Sequence, residues 1–324
     1  MLLGIDCGSV AVKAVLLSSG RELEAAAYRR NCGIVETLRD CLSELGMLEI
    51  SGVGVTGSGR SLTAMVVGAD VVKTEIFAHA VAAMAYEPGV QTVLDIGGED
   101  SKLIKIRDEV VCDFKMNHMC GAGTGALIDS IAVRLGVKTE EVGELALQHG
   151  RELDIPGKCG VFAQSAVVSK LNAGASTSDL LWGVCKALVR NYALLGKGIE
   201  LRPPYVFQGA VARNEAVVAA MRQELGWDIV VPDYCAFMGA IGVALLAGEQ
   251  RIKQTKFRGM RRLDGMSIRM IRGDGCSNRC EIVQVLSGEG KVIGSTGARC
   301  EKCGGKDDFS SRSGLVQITS GKTE

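Results

Sequence analysis

The sequence has no excess charge of either sign: 37 Lys and Arg stand against 37 Asp and Glu in 324 residues. That balance gives no pull toward nucleic acid or an anionic membrane, and neither is expected as a partner. No apolar run approaches the length of a membrane span. The opening Met1-Leu-Leu-Gly-Ile-Asp6 lacks the basic flank and small-residue cleavage site of an export signal, so the chain reads as cytoplasmic. Aromatic residues are scarce at 4%. Hydrophobic residues reach 47%, ample for a core in one large domain or two to three smaller ones.

Cysteine is plentiful, with twelve in the chain, but a cytoplasmic location argues against a disulfide framework. Cys32, Cys41, Cys185 and Cys235 read as small core residues, Cys112 as part of a strand and Cys7 as part of a tight turn. Six remain: Cys120 with Cys159, and Cys276, Cys280, Cys300 and Cys303. Cys120 and Cys159 each precede a helical pattern. Leu127, Ile128, Ile131 and Leu135 recur at helical spacing after the first, and Val161, Phe162, Val168 and Leu171 after the second. Unpaired N–H groups and the positive end of the helix dipole favour negative charge at such a position, which suits a ligand to an anionic cofactor. Two cysteines do not complete a tetrahedral or cubane site, which takes four; a symmetric dimer supplies two from each chain.

Along the chain, Leu2 to Asp6 reads as a buried strand, Cys7-Gly8-Ser9 as a turn and Ala11 to Leu17 as a second strand. The same device returns at Thr92 to Ile106, with Asp95 at the strand end and Gly97-Gly98 in the turn. A duplication of this size points to two similar lobes facing each other. Glycine lets backbone N–H groups approach phosphate oxygens, and a carboxylate at each strand end suits hydrated magnesium; Ser9 and Lys13 add donors. A third piece, Tyr205-Val-Phe-Gln208-Gly209-Ala210-Val211-Ala212-Arg213-Asn214, runs from a strand through a small-residue turn into a helix. Its glycine turn admits a flat purine against backbone. Gly121 to Ala126 also fits a dinucleotide fingerprint, but no acidic residue ends a following strand about twenty positions on.

These segments resemble the phosphate-1, phosphate-2 and adenosine motifs of the actin, sugar-kinase and heat-shock-chaperone ATPase fold. More narrowly, Asp95-Ile-Gly-Gly-Glu-Asp-Ser-Lys102, Asn117-x-x-Cys120-x-Ala122-Gly-Thr-Gly125 and Lys158-Cys159-x-Val161-Phe162-Ala163 are similar to the activators of 2-hydroxyacyl-CoA dehydratases and the ATPase subunits of benzoyl-CoA reductase. The resemblance covers residues 1 to about 248. It implies an α/β protein of two ribonuclease-H-like lobes, lobe I at about 1–88 plus 236–248 and lobe II at about 89–235. It also implies ATP with magnesium, with Asp6 and Asp95 as catalytic carboxylates. Gly8, Ser9, Lys13, Gly97, Gly98, Gly209, Ala210 and Asn214 would line the nucleotide. The family further implies a homodimer in which Cys120 and Cys159 of each chain hold one shared [4Fe-4S] cluster. A ferredoxin or flavodoxin would supply the electron, and a partner iron–sulfur dehydratase or reductase would receive it. The chain departs from the family pattern at Glu99, where glutamine is usual, at Ala210, where a second glycine is usual, and at Gln164 and Ala166, where acidic residues are expected.

Beyond the motifs, 249–268 reads as a basic, solvated linker. A Cys-rich metal-binding hairpin over 269–305 follows, then a flexible polar tail over 306–324. The pairs Cys276/Cys280 and Cys300/Cys303 bracket strands at about Glu281–Val285 and Lys291–Ser295, a knuckle whose spacing admits either zinc or an iron–sulfur cluster. The alternative function is a small-molecule kinase of the same fold with a structural zinc tail. It would leave Cys120 without a purpose, and no sugar-binding insert is evident.

Overall fold

The structure, a computed structural model, describes residues 1–46, 49–117, 120–273, 277 and 279–299. They form two compact units: Met1–Lys73 with the described residues from Val243 onward, and Thr74–Gly242.

In the first unit β1 (Leu2–Cys7) and β2 (Ala11–Leu17) make an antiparallel hairpin that places Asp6 opposite Lys13. β3 (Leu23–Arg30) continues the meander, followed by α1 (Ile34–Leu45), β4 (Gly52–Thr56), α2 (Arg60–Val67) and β5 (Val71–Val72). β4 joins β1 in parallel, giving the order β3-β2-β1-β4-β5. β1 and β4 are covered on both faces, which is why they read as unbroken apolar runs. α1 is amphipathic, burying Val35, Leu38, Cys41, Leu42 and Leu45 at helical spacing.

The second unit comprises α3 (Glu75–Tyr86), β6 (Thr92–Ile96), β7 (Ser101–Arg107), β8 (Val110–Asn117), α4 (Gly125–Leu135), α5 (Val142–Leu147), α6 (Gly160–Asn172), α7 (Thr177–Ala193), β9 (Tyr205–Gln208), α8 (Glu215–Leu225) and β10 (Ile229–Val230). Helix α9 (Met238–Glu249) starts here and runs on past Gly242. The sheet order is β10-β9-β6-β7-β8, with β6-β7-β8 an antiparallel meander and β9 and β10 parallel to β6. That is the first sheet over again, so the duplication seen in the two Asp-x-Gly hairpins extends to the whole strand pattern. α7 is the unit's central helix. Ser176 caps it, its hydroxyl accepting from the Asp179 N–H at 3.1 Å, and Leu180, Leu181, Val184, Ala187, Leu188 and Val189 are buried.

The extension consists of α10 (Met260–Leu263), β11 (Ser267–Arg272), β12 (Glu281–Leu286) and β13 (Val292–Thr296). Its strands form a three-stranded antiparallel sheet, one strand more than the hairpin expected. The basic stretch ahead of it keeps most of its charged side chains exposed while its backbone is anchored to the first unit. Lys256 N–H donates to Asp70 Oδ1 and Arg258 N–H to the Val67 carbonyl, both at 2.9 Å. Leu263, Met266 and Val285 join the first unit's core, with Phe257 and Met260 packed against it. The expected tail over 306–324 lies outside the described residues.

The spare cysteines mostly fall in the core. Cys41 and Cys185 are fully buried, and burial pushes their thiols up to about 11 and about 12; Cys235 is buried and raised for the same reason. Cys7 is corrected from a turn to the last residue of β1, also fully buried, with its thiol pushed up to about 11. Cys32 is corrected from core to surface, and Cys112 is exposed on β8. Among the described residues no helix is long and apolar enough to cross a membrane.

Helix α9 passes so close to α3 that a Cβ on Gly242 would lie 1.8 Å from the Ala78 carbonyl oxygen. Alanine's helix propensity is worth only about 1 kcal/mol over glycine. We therefore expect Gly242→Ala to lose about 1–3 kcal/mol by overpacking, read as a lower urea midpoint. Gly150→Ala, where a Cβ meets nothing within 4 Å, should stay within about 0.5 kcal/mol of wild type.

Candidate nucleotide and thiol sites

In the first unit Asp6 ends β1 and is 6% exposed. Lys13 Nζ reaches its Oδ2 at 3.0 Å across the hairpin. Gly8 donates its N–H to the Ala11 carbonyl at 3.0 Å, and a Cβ there would stand 3.1 Å from that oxygen, so the turn is tight. Ser9 lies exposed at its tip.

The second unit repeats the device with more partners. Asp95 is 2% exposed, and Lys102 sits directly opposite on β7. Lys102 Nζ contacts Asp95 Oδ2 at 3.3 Å, Asp100 Oδ1 at 2.7 Å and Glu75 Oε2 at 2.6 Å. Burial opposes a charged ammonium here, but Asp95, Glu75 and Asp100 outweigh it and hold the Lys102 pKa well above the ordinary lysine value. Gln208 Nε2 and His79 Nδ1 share a hydrogen bond at 2.7 Å, and His79 Nε2 lies 3.7 Å from Asp95 Oδ2. The Tyr192 hydroxyl donates to the Lys102 carbonyl at 2.7 Å. Burial, and then the charge of Asp95, raise its pKa well above the usual phenol value.

Lys102, which closes the second quoted motif, was not among the expected site residues, and neither were Glu75, His79 and Tyr192. The signal for Lys102 was nevertheless present, since both lysines stand seven residues after their aspartates.

Gly97 donates to the Asp100 carbonyl at 2.9 Å, as Gly8 does to Ala11 in the first hairpin. Gly209 has φ +93°, and a Cβ there would lie 2.4 Å from the Ile96 carbonyl oxygen and 2.5 Å from Asp95 Oδ1. Only glycine lets the turn after β9 run against Asp95. Ala210 opens a short 3-10 turn, Ala210–Arg213, and the Asn214 side chain caps α8 by accepting from the Val217 N–H at 3.1 Å. Asp6 and Asp95 each offer one carboxylate beside a glycine turn. One carboxylate beside a glycine turn, as each unit has by itself, fits magnesium that keeps its waters and takes phosphate oxygens.

Cys120 and Cys159 both sit in extended backbone at the N-cap. Cys120 precedes the 3-10 turn Gly121–Gly123 and α4, and Cys159 precedes α6. Both thiols are partly exposed. Asn117 clamps the first: its Oδ1 accepts from the Cys120 N–H at 3.1 Å and its Nδ2 donates to the Cys120 carbonyl at 2.8 Å. A Cβ on Gly160 would meet nothing within 4 Å, leaving the approach to the start of α6 open. Two accessible thiols at helix starts fit half of a four-thiolate cluster site, and among the described residues no group of three or more His, Cys, Asp or Glu is arranged to hold a metal. Gln164 Nε2 donates to Ser130 Oγ at 3.3 Å, tying α6 to α4.

The dinucleotide-like glycines have a different use. Gly125 N–H donates to the Gly97 carbonyl at 2.9 Å and Ala126 N–H to the Gly98 carbonyl at 2.8 Å. The start of α4 is thereby stitched to the phosphate-type turn. One expected face is corrected: α6 buries Ala163 and Val167, whereas Val161 and Phe162 are each 69% exposed and Leu171 39%.

In the extension, Cys280 is buried just before β12, and its Sγ accepts from the Arg299 N–H at 3.2 Å. Cys276, Cys300 and Cys303 lie outside the described residues.

Lys102 holds three carboxylates together in this cluster, so Lys102→Met leaves them facing one another. We expect a loss of about 3–5 kcal/mol in urea unfolding, and a smaller loss for Lys13→Met, whose side chain is 16% exposed.

Known proteins of similar sequence and structure place the chain in a family. The 2-hydroxyisocaproyl-CoA dehydratase activator of Clostridioides difficile is 32% identical over 261 residues, which is 78% of this chain and 97% of that protein. The (R)-2-hydroxyglutaryl-CoA dehydratase activating ATPase of Acidaminococcus fermentans is 32% identical over 257 residues, 78% of this chain and 98% of that protein. The solved structure of the activator of the 2-hydroxyisocaproyl-CoA dehydratase from Clostridium difficile with bound ADPNP superposes with a TM-score of 0.72. It covers 76% of this chain and 94% of that one. The profile of one family matches residues 3–247, and the chain belongs to it: the BadF/BadG/BcrA/BcrD ATPase family.

Proposed function

We propose that this chain is an ATP-dependent activator that couples hydrolysis to delivery of one low-potential electron to a partner iron–sulfur acyl-CoA dehydratase or reductase. The observation that carries this reading is the pair of backbone hydrogen bonds from Gly125 and Ala126 to Gly97 and Gly98. A turn that grips phosphate oxygens before hydrolysis and releases them after it shifts slightly. α4 must follow, because two of its first N–H groups are committed to that turn. Cys120 stands immediately ahead of that segment. The relatives activate 2-hydroxyacyl-CoA dehydratases, and a component of the benzoyl-CoA reductase of Thauera aromatica is 30% identical over 262 residues, which supports the partner class.

Asp6 in the first unit and Asp95 in the second are each a carboxylate suited to hydrated magnesium. The turns at Gly8-Ser9 and Gly97-Gly98, with Lys13, position phosphate, and Gly209, Ala210 and the capped turn at Asn214 take the adenosine. Cys120 and Cys159 from each of two copies supply four thiolates to one [4Fe-4S] cluster, which when bound stores one electron and passes it on. Val161 and Phe162 favour a homodimer, since two large apolar side chains directly after a ligand cysteine call for a cover. The electron enters from a donor of the ferredoxin or flavodoxin kind. Cys276, Cys280, Cys300 and Cys303 form a second metal site, zinc or iron–sulfur. The Arg299 N–H directed at Cys280 Sγ supports it, as backbone donors commonly stabilise a metal-bound sulfur.

Anaerobic iron analysis and EPR test the reading. Wild type should carry about four irons per dimer at the shared site. Cys120→Ser and Cys159→Ser should each abolish that signal while equilibrium dialysis still detects bound MgATP. Retention of the full iron content and signal in the double variant would sink the shared-cluster reading.

A further inference from the structure

Both cysteine loops rest on the last turn of α7. Asn191 Nδ2 donates to the Gly157 carbonyl at 2.7 Å, two residues before Cys159. Its Oδ1 faces the loop after Cys120, because a Cβ added at Gly123 would come within 2.5 Å of it. Gly157 is itself pressed onto the helix, where a Cβ would stand 2.6 Å from the Ala187 carbonyl oxygen. On the other side, the Asn117 amide group lies beside Gly123 and holds the Cys120 backbone at both its N–H and its carbonyl. The Asn191 carboxamide is therefore wedged between the two thiol-bearing segments, bonded to one and in contact with the other.

The next residue faces elsewhere. Tyr192, 1% exposed, donates to the carbonyl of Lys102, and the Lys102 ammonium is the partner of Asp95. Consecutive residues on one rigid helix thus touch the two cysteine loops and the strand that carries the counter-ion of the nucleotide-side carboxylate. A shift of β7 on nucleotide binding would pull on the Tyr192 hydroxyl. The Asn191 wedge would move with it, since neighbouring residues of a buried helix do not move independently.

We infer that Asn191 is a positioning residue for the paired thiols, setting the separation of the Cys120 and Cys159 loops, and that Tyr192 links this separation to the Lys102–Asp95 pair. The inference rests on the shared-cluster reading and adds to it the side chains that set ligand geometry. Groups that orient ligands without touching the metal tune its affinity and electronic properties, and their loss typically costs ten- to a hundredfold.

Full-length wild type, Asn191→Ala, Asn191→Asp and Tyr192→Phe would be loaded anaerobically with ferrous iron and sulfide. Iron per dimer, the rate of stripping by a chelator, the midpoint potential and the EPR spectrum with MgADP and with a non-hydrolysable ATP analogue would then be compared. Both Asn191 variants should still bind iron but show altered g-values, a shifted potential and stripping about ten- to a hundredfold faster than wild type. Asn191→Asp should depart further than Asn191→Ala, because a carboxylate then faces the Gly157 carbonyl. Tyr192→Phe should keep the resting spectrum and lose the difference between the two nucleotides. Should Asn191→Ala not fold, the near-isosteric Asn191→Asp carries the same comparison.

Spectra, potentials and stripping rates identical to wild type in the Asn191 variants would overturn the positioning role. An undiminished nucleotide response in Tyr192→Phe would overturn the link. Wild type that takes up no iron would remove the shared-cluster reading and this inference together, whereas a loaded wild type with unchanged variants removes the inference alone.

Discussion

A lysine ammonium with 3% of its side chain exposed is the constraint on which the second unit is built. Removing an ammonium from water is costly, and Lys102 offsets that cost by facing Asp95, Asp100 and Glu75 at once. Each partner comes from a different element: the strand β6, the glycine turn and the first residue of α3. The Lys102 carbonyl meanwhile receives the hydroxyl of Tyr192 from α7. One residue on β7 therefore fixes four pieces of chain in register around the Asp95 carboxylate. The first unit uses the plainer version, Lys13 against Asp6, with a more exposed ammonium.

The Gly97-Gly98 turn, whose carbonyls are taken up by Gly125 and Ala126, is not a free loop. Its conformation and that of the start of α4 are one variable, because a buried N–H left without a partner costs about 1–3 kcal/mol. In most glycine-rich turns the flexibility serves only the ligand. Here two further glycines, Gly123 and Gly125, belong to the next element and lie close to Asn191 and to Gly97. Small residues on both sides of the contact let the two backbones approach.

Much of this was legible in the sequence. The two Asp-x-Gly hairpins, the strand–turn–helix at Gly209 and the cysteines ahead of α4 and α6 follow from local pattern, and the structure has those elements where the pattern puts them. What escaped was decided over long distances in the chain. Lys102 closes a quoted motif, but its pairing with Asp95 shows in the sequence only when it is compared with Lys13. Asn191 is 34 residues from the carbonyl it bonds, so no local window contains the contact. Periodicity correctly called a helix after Cys159 but misassigned its face, because spacing reveals an apolar stripe without revealing what covers it. At 249–268 the basic side chains are mostly exposed, as their charge suggests, while Phe257, Met260, Leu263 and Met266 between them meet the core, a contact that charge pattern does not reveal.

Those four apolar residues change what kind of addition the extension is. The family profile ends at residue 247, yet Leu263, Met266 and Val285 complete the core beneath α1 and α2, and Gly294 lies against Met65. The segment is grafted into the first unit rather than hung from it. Transplanting it onto a relative would require that relative's α1 and α2 to carry a matching apolar surface. Trimming it away would leave this protein's own surface uncovered.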